Sequence, residues 1–303
     1  RAADRLAGAR RQPAREFEHV GAGRRGGRGA VGVEPRAAVA HVRDEVREGE
    51  VYQANVCRVL AAPLVGPGGG EPDARALARR LARGNPAPYG GVLHVPAGSG
   101  VDPVWVVSAS PELYLRVAGG TVTSGPIKGT APTPAGLTAK DRAENVMITD
   151  LVRNDLQRVC DPGTVEVTDL LAVEQHPGLV HLVSTVTGRL RAGLAGSAAL
   201  WPALLETTFP PASVSGAPKS SALRIIDALE PVPRGPYCGA IGWVDGDEAV
   251  LAVGIRTFWW SDGVLRFGTG AGITWGSDPA REWEETELKA RRLVGLASGT
   301  LEP

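Results

Sequence analysis

Two glutamates and a lysine follow one another at helical spacing near the end of the chain. Glu282, Glu285 and Lys289 fall within about 60° of one another on a helix. They share a stripe with Leu293 and Leu296, which points this face toward the core. Buried carboxylates are costly unless a cation neutralises them, and oxygen-only ligands favour Mg²⁺ over zinc. The alternative is an exposed helix with ordinary Glu–Lys surface pairs.

A further carboxylate, Glu144, has the same unusual setting. It shares a helical face with Met147, Ile148 and Leu151, where a lone acidic group is unfavourable. It could complete a metal site together with Glu285. The alternative is a glutamate in a first helical turn, where the helix dipole favours negative charge.

Lysine is rare here, because only four of the 33 basic residues are lysine. Where arginine is the usual cation, a retained lysine indicates a need for the amine itself. The segment SGPIKGT predicts that Lys128 lies in a tight Gly/Pro loop at the end of a strand, presenting its amine at a cleft. Desolvation there would lower its pKa and make a neutral nucleophile available. The alternative is an ordinary solvated lysine in a turn.

The segment GTGAG lies just before the last predicted helix. It offers consecutive backbone N–H groups near a helix N-terminus, an arrangement that suits a carboxylate or another anion. A glycine-rich hairpin without a ligand is the alternative.

The elements that must position these groups follow from periodicity. Thr138 is predicted to cap a long helix with Asp141 in a capping box, and Asp278 to cap the last helix with Pro279 in its first turn. Runs of strands interrupted by single helices predict an α+β fold with antiparallel or mixed sheets. Residues 1–36 are Arg- and Gly-rich without a sustained period, and are predicted to be a truncated or poorly ordered segment. Residues 37–303 are predicted to form the catalytic domain.

Composition excludes several classes of protein. The chain is 43% hydrophobic and 22% charged, with a formal net charge of zero. Such a chain has no global field for nucleic acid or an anionic membrane, so an acidic ligand needs local basic groups. No apolar run is long enough for a membrane span or a signal peptide, which predicts a cytoplasmic enzyme. The cysteines lack the spacing of zinc or redox motifs and are interpreted as reduced core thiols.

Nine ordered motifs between about Gly49 and Ala290 resemble the chorismate-utilising enzymes. They are GEVYQANVCR, SASPELYL, SGPIKGT, AENVMITDLVRNDLQRV, LVHLVS, FPPASVSGAPK, PYCGAIGW, GIRTF and GTGAGITWGSDPAREWEETELKA. This family includes the large subunits of anthranilate and aminodeoxychorismate synthases, and isochorismate and salicylate synthases. The resemblance implies two packed β-sheets, mixed or antiparallel, flanked by outer helices, with chorismate and Mg²⁺ in the cleft between them. We expect most of the further N-terminal segment that family members usually carry to be missing here.

The resemblance also assigns roles to residues of this chain. The implied Mg²⁺ ligands are Glu144, Glu285 and, through a water molecule, Glu282. The implied substrate contacts are Arg256, Lys289, the amides of Gly270, Ala271 and Gly272, and more weakly Tyr237 and Ser215. The implied catalytic groups are the nucleophile Lys128, the general acid Glu112 and the histidine His181. By itself, a histidine within an apolar segment is more typical of a core residue.

Two positions separate the branches of the family by reaction. Gln53 stands where isochorismate-type enzymes carry a lysine base, and Lys128 stands where anthranilate synthases typically carry alanine. The resemblance therefore implies amination of chorismate at C4, with anthranilate synthase component I as the nearest alternative. None of the three cysteines lies in the Gly-flanked elbow of a glutaminase, which implies a glutamine amidotransferase partner or free ammonia.

Overall fold

The computed structural model describes residues 18–19, 35–176 and 178–303. Its strands are Glu18–His19 (β1), Gln53–Pro63 (β2), Tyr89–Val95 (β3), Val104–Ser110 (β4), Leu113–Ala118 (β5), Thr121–Gly125 (β6), Ile127–Ala131 (β7), Glu166–His176 (β8), Leu179–Arg189 (β9), Gly216–Ala217 (β10), Ala240–Asp245 (β11), Glu248–Val253 (β12), Thr257–Ser261 (β13) and Val264–Thr274 (β14). Its helices are Pro35–Arg47 (α1), Ala74–Gly84 (α2), Ala139–Gln157 (α3), Leu200–Thr208 (α4), Lys219–Leu229 (α5) and Pro279–Ser298 (α6).

The strands form two antiparallel sheets. The first has the order β1-β2-β14-β13-β4-β3, with β10 also paired to β2. The second has the order β11-β12-β5-β6-β9-β7, with β8 also paired to β9. Helices α2 and α6 pack on the first sheet, and α3 packs on the second. The predicted α+β fold of two sheets flanked by helices is confirmed.

Capping explains where the two longest helices begin. The Thr138 hydroxyl accepts a hydrogen bond from the Asp141 amide, and the Asp141 carboxylate accepts one from the Thr138 amide at 2.7 Å. Asp278 accepts from the amides of Ala280 and Arg281 at the start of α6, with Pro279 in its first turn. Each cap pairs amides that have no partner within the helix, so both predicted starts are confirmed.

The apolar stripes of these helices face the core. On α3, Ile148 and Leu156 are fully buried against the second sheet, and on α6 Leu293 and Leu296 are buried against the first. Burying each such side chain stabilises the fold by about 1.5–3 kcal/mol. This packing fixes the rotation of both helices and thereby directs their neighbouring glutamates toward the space between the sheets.

The region from Tyr237 to Gly272 connects the two sheets. It contains four strands, because the chain leaves β12 of the second sheet and enters β13 of the first. Arg256 lies at this crossing with φ 51°, a conformation that non-glycine residues seldom adopt. The sequence on both sides is equally β-rich, so periodicity alone does not reveal the change of sheet.

The predicted segment 1–36 lies largely outside the described residues. Within it, Glu18 and His19 pair with Ala61 and Leu60 of β2, and α1 begins at Pro35. The division into a segment 1–36 and a catalytic domain stays a prediction. All three cysteines are buried and free, which confirms their interpretation as core thiols. Among the described helices, none is both long and apolar enough to cross a membrane.

Candidate active site

A cavity of about 120 Å³ lies between the two sheets and is walled by both of them. Its lining takes residues from β2 and β14 of the first sheet, from β7 and β9 of the second, and from α3 and α6. Most of the predicted site residues meet here: Glu112, Lys128, Glu144, His181, Tyr237, Arg256, Gly270, Gly272, Glu285 and Lys289. Glutamates from two distant helices thus share one cavity with the amine and carboxyl predicted to react.

Lys128 lies in a short strand, which corrects its prediction as a loop residue. Strand β7 pairs with β9, and its register shifts between Ile127 and Thr130, so Lys128 and Gly129 occupy an irregular step of the ladder. Gly129 takes φ 89°, which favours glycine. Irregular steps in a strand ladder change the direction of side chains, and the lysine at this step, Lys128, lines the cavity.

Gly272 provides the room for the Lys128 amine. A Cβ atom at Gly272 would lie 2.9 Å from Lys128 Nζ and 3.1 Å from Gln53 Nε2. These separations are shorter than ordinary contacts, so a larger residue would displace one of the two groups. The side chain of Gln53 is fully buried beside this lysine.

Burial lowers the pKa of Lys128, and the nearby ammonium of Lys289 lowers it further. The carboxylates of Glu144 and Glu112 act in the opposite direction but do not outweigh burial. Among the described residues, none forms an ion pair with Lys128 within 4.0 Å. The neutral amine required of a nucleophile is therefore more accessible than for a solvated lysine.

Glu112 lies between β4 and β5, with its carboxyl 3% exposed. Its amide donates to Ser110 Oγ at 3.2 Å and its carbonyl accepts from the Val253 amide at 3.0 Å, which fixes the backbone. Burial raises the pKa of Glu112 to about 7, and the Ser213 hydroxyl and the Lys128 amine limit the rise. The Ser213 hydroxyl lies close enough for this effect without forming a well-aligned hydrogen bond within the described residues. A carboxyl with this pKa can donate a proton near neutral pH.

His181 holds the guanidinium of Arg256. Arg256 Nη2 donates to His181 Nε2 at 2.7 Å, and His181 Nδ1 lies 3.0 Å from Thr130 Oγ1. Because arginine can only donate, Nε2 must be the acceptor, so Nδ1 carries the proton and donates to Thr130. Burial, together with the charge of Arg256, lowers the pKa of His181 to about 3. The histidine thus stays neutral, and its contacts favour a positioning role over the predicted catalytic one.

Lys289 and Glu285 form an ion pair on α6. Lys289 Nζ lies 2.6 Å from Glu285 Oε1 and donates to the Gly270 carbonyl at 3.0 Å. Lys289 lowers the pKa of Glu285 despite its burial. Burial acts to lower the pKa of Lys289, but Glu285 outweighs it and the pKa is raised. Both groups therefore stay ionised.

Lys140 connects α3 to α6. Its amine lies 3.3 Å from Glu144 and 2.8 Å from Glu282, and Thr274 donates to Glu144 at 3.5 Å. Burial raises the pKa of Glu144, although Lys128 and Lys140 oppose this. The sequence analysis did not assign Lys140, but its signal was present: it is one of four lysines and lies one helical turn before Glu144.

The predicted group of three backbone amides is corrected. Gly270, Ala271 and Gly272 lie in the extended strand β14, where successive N–H groups point to opposite edges. Cys57 and Asn55, which stand opposite Gly270 and Gly272 on β2, donate their N–H groups elsewhere. Gly270 and Gly272 therefore turn their backbone groups away from β2, and both line the cavity. The Ala271 amide faces β2 and cannot join them.

Comparison with known proteins agrees with this arrangement. The profile of the family described as chorismate binding enzymes matches residues 35–295. The chain belongs to the chorismate binding enzyme family. It is 39% identical over 269 residues to anthranilate synthase component 1 of Streptomyces coelicolor, covering 84% of this chain and 50% of that protein. It is 37% identical over 264 residues to aminodeoxychorismate synthase component 1 of Klebsiella aerogenes, covering 82% and 54%.

The fold is also similar to a solved member of this family. The crystal structure of anthranilate synthase component I from Streptococcus pneumoniae TIGR4 matches with a TM-score of 0.75 and 29% identity, over 93% of this chain and 60% of that chain. The chain thus spans about half the length of the curated relatives that it matches. The predicted resemblance to chorismate-utilising enzymes is confirmed.

Two glutamates of this family member fit a magnesium site. Glu144 and Glu285 present carboxylate oxygens to one cavity, and such oxygens are the ligands that Mg²⁺ prefers. Glu282 is 4% exposed, lies on Lys140 and does not line the cavity. In the described part of the chain, no three His, Cys, Asp or Glu side chains are close enough together to hold a metal ion. A magnesium site would therefore have Glu144 and Glu285 as its direct protein ligands.

The remaining predicted contacts lie at the edge of the site or outside it. Ser215 is fully buried and donates its hydroxyl to the Pro211 carbonyl at 2.9 Å, away from the cavity. Tyr237 lines the cavity and packs its ring against Gly268, where a Cβ would lie only 2.1 Å from the ring. The sequence analysis missed further lining residues, among them Asn55, Thr130, Lys140, Ser213 and Phe267.

Proposed function

We propose that the chain catalyses the amination of chorismate at C4, giving 4-amino-4-deoxychorismate and water. The observation that carries this proposal is the amine of Lys128, which forms no ion pair within 4.0 Å with any residue that the structure describes and lines one cavity together with the buried Glu112. The pKa of Lys128 is lowered by burial and that of Glu112 is raised to about 7 by burial. A neutral amine and a protonated carboxyl are the two groups that displacement of a hydroxyl requires.

The first half of the reaction uses both groups at once. The Lys128 amine adds to C2 of the ring, both conjugated ring double bonds shift by one position toward C4, and the bond from C4 to its hydroxyl breaks. Glu112 gives its proton to the leaving oxygen, so that water departs instead of hydroxide. The product of this step is a lysine adduct at C2 and an ionised Glu112.

The second half restores the enzyme. Ammonia adds at C4, both ring double bonds shift back, and the bond between C2 and Lys128 breaks, which releases the neutral amine. The ionised Glu112 takes the proton that the new ammonium group releases, so the carboxyl is ready for another cycle. The sum is chorismate plus ammonia giving aminodeoxychorismate plus water, with no loss of pyruvate.

The substrate carboxylates are held by positive charge at fixed points. Arg256 is aimed by His181, and Lys289 is aimed by Glu285 and the Gly270 carbonyl. Both line the cavity that contains Lys128. Magnesium bound by Glu144 and Glu285 would supply further positive charge toward a ring carboxylate. Fixed charges of this kind orient the ring without reorganisation during the reaction.

Ammonia is supplied by a glutamine amidotransferase partner in this proposal. All three cysteines of the chain are buried, and none is in an exposed turn where a glutaminase nucleophile would stand. The amide of glutamine therefore has no site of hydrolysis in the described part of the chain. Free ammonium is expected to replace the partner in a test with the isolated chain.

Anthranilate formation is the second candidate. It is favoured by the similarity to anthranilate synthase component 1 of Streptomyces coelicolor, which is as close as that to the aminodeoxychorismate synthase component. That reaction places the amino group at C2 and eliminates pyruvate, and so needs no covalent lysine at C2. The buried Lys128 amine is the observation that favours C4.

Product analysis separates the two candidates. The purified chain is incubated with chorismate, Mg²⁺ and ammonium, and the products are separated and identified by mass spectrometry. We expect a product that an added lyase converts to para-aminobenzoate, and none when ammonium is omitted. Fluorescent anthranilate with release of pyruvate would contradict the proposal.

A further inference from the structure

A second, smaller cavity of about 20 Å³ lies on the other side of Glu112. Glu112 and Ser213 line both this satellite cavity and the main one. A cavity needs roughly 10–15 Å³ of free space to hold one water molecule, so about one molecule of that size fits here. Glu112 thus lies between the main cavity, which suits a ring, and the satellite cavity, which suits a small molecule.

Part of the lining of the satellite cavity is polar. Tyr114 Oη and Thr208 Oγ1 are 2.6 Å apart, and Asp155 accepts a hydrogen bond from Lys219 Nζ at 2.8 Å. Lys219 also donates to the Thr208 carbonyl at 3.2 Å, and its side chain is 19% exposed. This ion pair connects the cavity wall with the protein surface. A small polar molecule can therefore be hydrogen-bonded here, which an apolar cavity would not allow.

The proposed reaction needs such a space at this carboxyl. One water leaves C4 and one ammonia arrives at C4, and Glu112 exchanges a proton with each of them. The two molecules are of nearly equal size, each with one heavy atom. In the proposed reaction chorismate occupies the main cavity when ammonia is needed at C4. A route from the satellite cavity past Glu112 does not cross the space that the substrate fills.

We infer that the satellite cavity is the ammonia-binding site of the enzyme, from which ammonia passes Glu112 and Ser213 to reach C4. The water released from C4 moves into the same space as ammonia leaves it. No bond forms in the cavity itself, and the proton balance at Glu112 is that of the two half-reactions. This inference rests on the proposed amination at C4.

Filling the cavity tests the inference. Ala212 lines only the satellite cavity and is 4% exposed, so Ala212→Val adds two methyl groups to it. Ser124→Thr is a milder filler from β6, because it adds one methyl group and keeps the hydroxyl. Ala249→Val is the matched control, since Ala249 is 1% exposed in the same core cluster and lines neither cavity. Thermal unfolding is measured first, to compare the effects of overpacking.

Two quantities are then measured for each variant. The first is the ammonium concentration that gives half-maximal aminodeoxychorismate formation at saturating chorismate. The second is the Kd of chorismate, measured without ammonium. We expect Ala212→Val to raise the half-maximal ammonium concentration about tenfold and Ser124→Thr to raise it about threefold. In both variants the Kd of chorismate should change less than about twofold. Ala249→Val should change neither.

The outcomes are distinguishable. An unshifted ammonium dependence in both filled variants overturns the inference, and so does a chorismate Kd that weakens as much as the ammonium dependence. If Ala212→Val does not fold, Ser124→Thr alone decides. A wild-type chain that forms no aminodeoxychorismate contradicts the proposed function itself, whereas an active wild type with unshifted variants contradicts only the role of the cavity.

Discussion

Two pairs of an amine and a carboxyl line one cavity, and the pKa values of the two pairs are shifted in opposite directions. In the first pair, Lys289 and Glu285 are 2.6 Å apart; the pKa of the amine is raised and that of the carboxyl is lowered. In the second pair, Lys128 and Glu112 form no ion pair within 4.0 Å; burial lowers the pKa of the amine and raises that of the carboxyl to about 7.

The difference shows what decides charge in a buried site. Burial penalises all four groups, but a partner at hydrogen-bonding distance outweighs the penalty for Lys289 and Glu285. At longer range the attraction falls off and burial prevails. One cavity therefore holds an ionised pair suited to binding anions beside a nearly neutral pair suited to making and breaking bonds.

The largest expected effect comes from removing the neutral amine. We expect Lys128→Ala to lower the rate of aminodeoxychorismate formation by at least about a thousandfold, because no nucleophile remains at C2. The Kd of chorismate should change little, since Lys289 and Arg256 are retained. Rates and Kd are measured on the same preparations. Lys128→Arg is the matched control, because it restores a positive charge without a neutral amine, and an active arginine variant would contradict covalent catalysis.

A stability measurement tests the neutral carboxyl of the same pair. The folded-state pKa of Glu112, about 7, lies above its ordinary value of 4.5. Its neutral form therefore supports the fold fully below about pH 4.5, and this contribution is lost as the pH rises through 7. We expect Glu112→Gln to have nearly wild-type stability at about pH 4.5 and to exceed it by about 3 kcal/mol above about pH 8. Urea unfolding at the two pH values measures the difference, and a pH-independent difference would refute the shift.

Disrupting the ion pair of Lys289 and Glu285 should weaken chorismate binding more than it slows turnover. We expect Lys289→Met to raise the KM for chorismate about 10- to 100-fold, because it removes a fixed cation and leaves the Glu285 carboxylate without its partner. The methionine keeps most of the volume, so packing is conserved. Steady-state kinetics separate the parameters. A variant that loses turnover while its KM stays at the wild-type value would place Lys289 in the chemical step.

The smallest effect is expected at His181, which acts through Arg256. We expect His181→Leu to raise the KM for chorismate about fivefold, because Arg256 loses its hydrogen-bond acceptor. His181→Gln supplies an acceptor again and should recover most of the loss. Since the pKa of His181 is about 3, it should contribute no limb to the pH profile near 6. A glutamine variant as slow in turnover as the leucine variant would indicate a chemical role instead.

Local signals in the sequence predicted much of this molecule. The caps at Thr138 and Asp278 and the apolar stripes of α3 and α6 depend on near neighbours in the chain, so the sequence correctly turned Glu144 and Glu285 away from open solvent and toward the cavity that both of them line. The resemblance, rather than periodicity, brought these glutamates together with Lys128.

What the sequence did not reveal depends on contacts between distant segments. The crossing at Arg256, the irregular step at Lys128 and the outward turn of the Gly270 and Gly272 amides are set by which strand pairs with which. The contact of His181 with Arg256 spans 75 positions, so no local pattern encodes the positioning role. Lys140 was overlooked because only Glu144 among its three partners lies on its own helix, whereas Ser277 and Glu282 are distant in the chain.

The position of Arg256 at the crossing has a consequence for the whole domain. Its guanidinium reaches across to a histidine on the second sheet from a backbone that is entering the first, so a small slide of one sheet over the other would stretch this bridge and displace the positive charge. Ligand affinity and the mutual alignment of the two layers are therefore mechanically linked. Substitutions in the hydrophobic interior, far from any reacting atom, can weaken substrate capture by loosening that alignment.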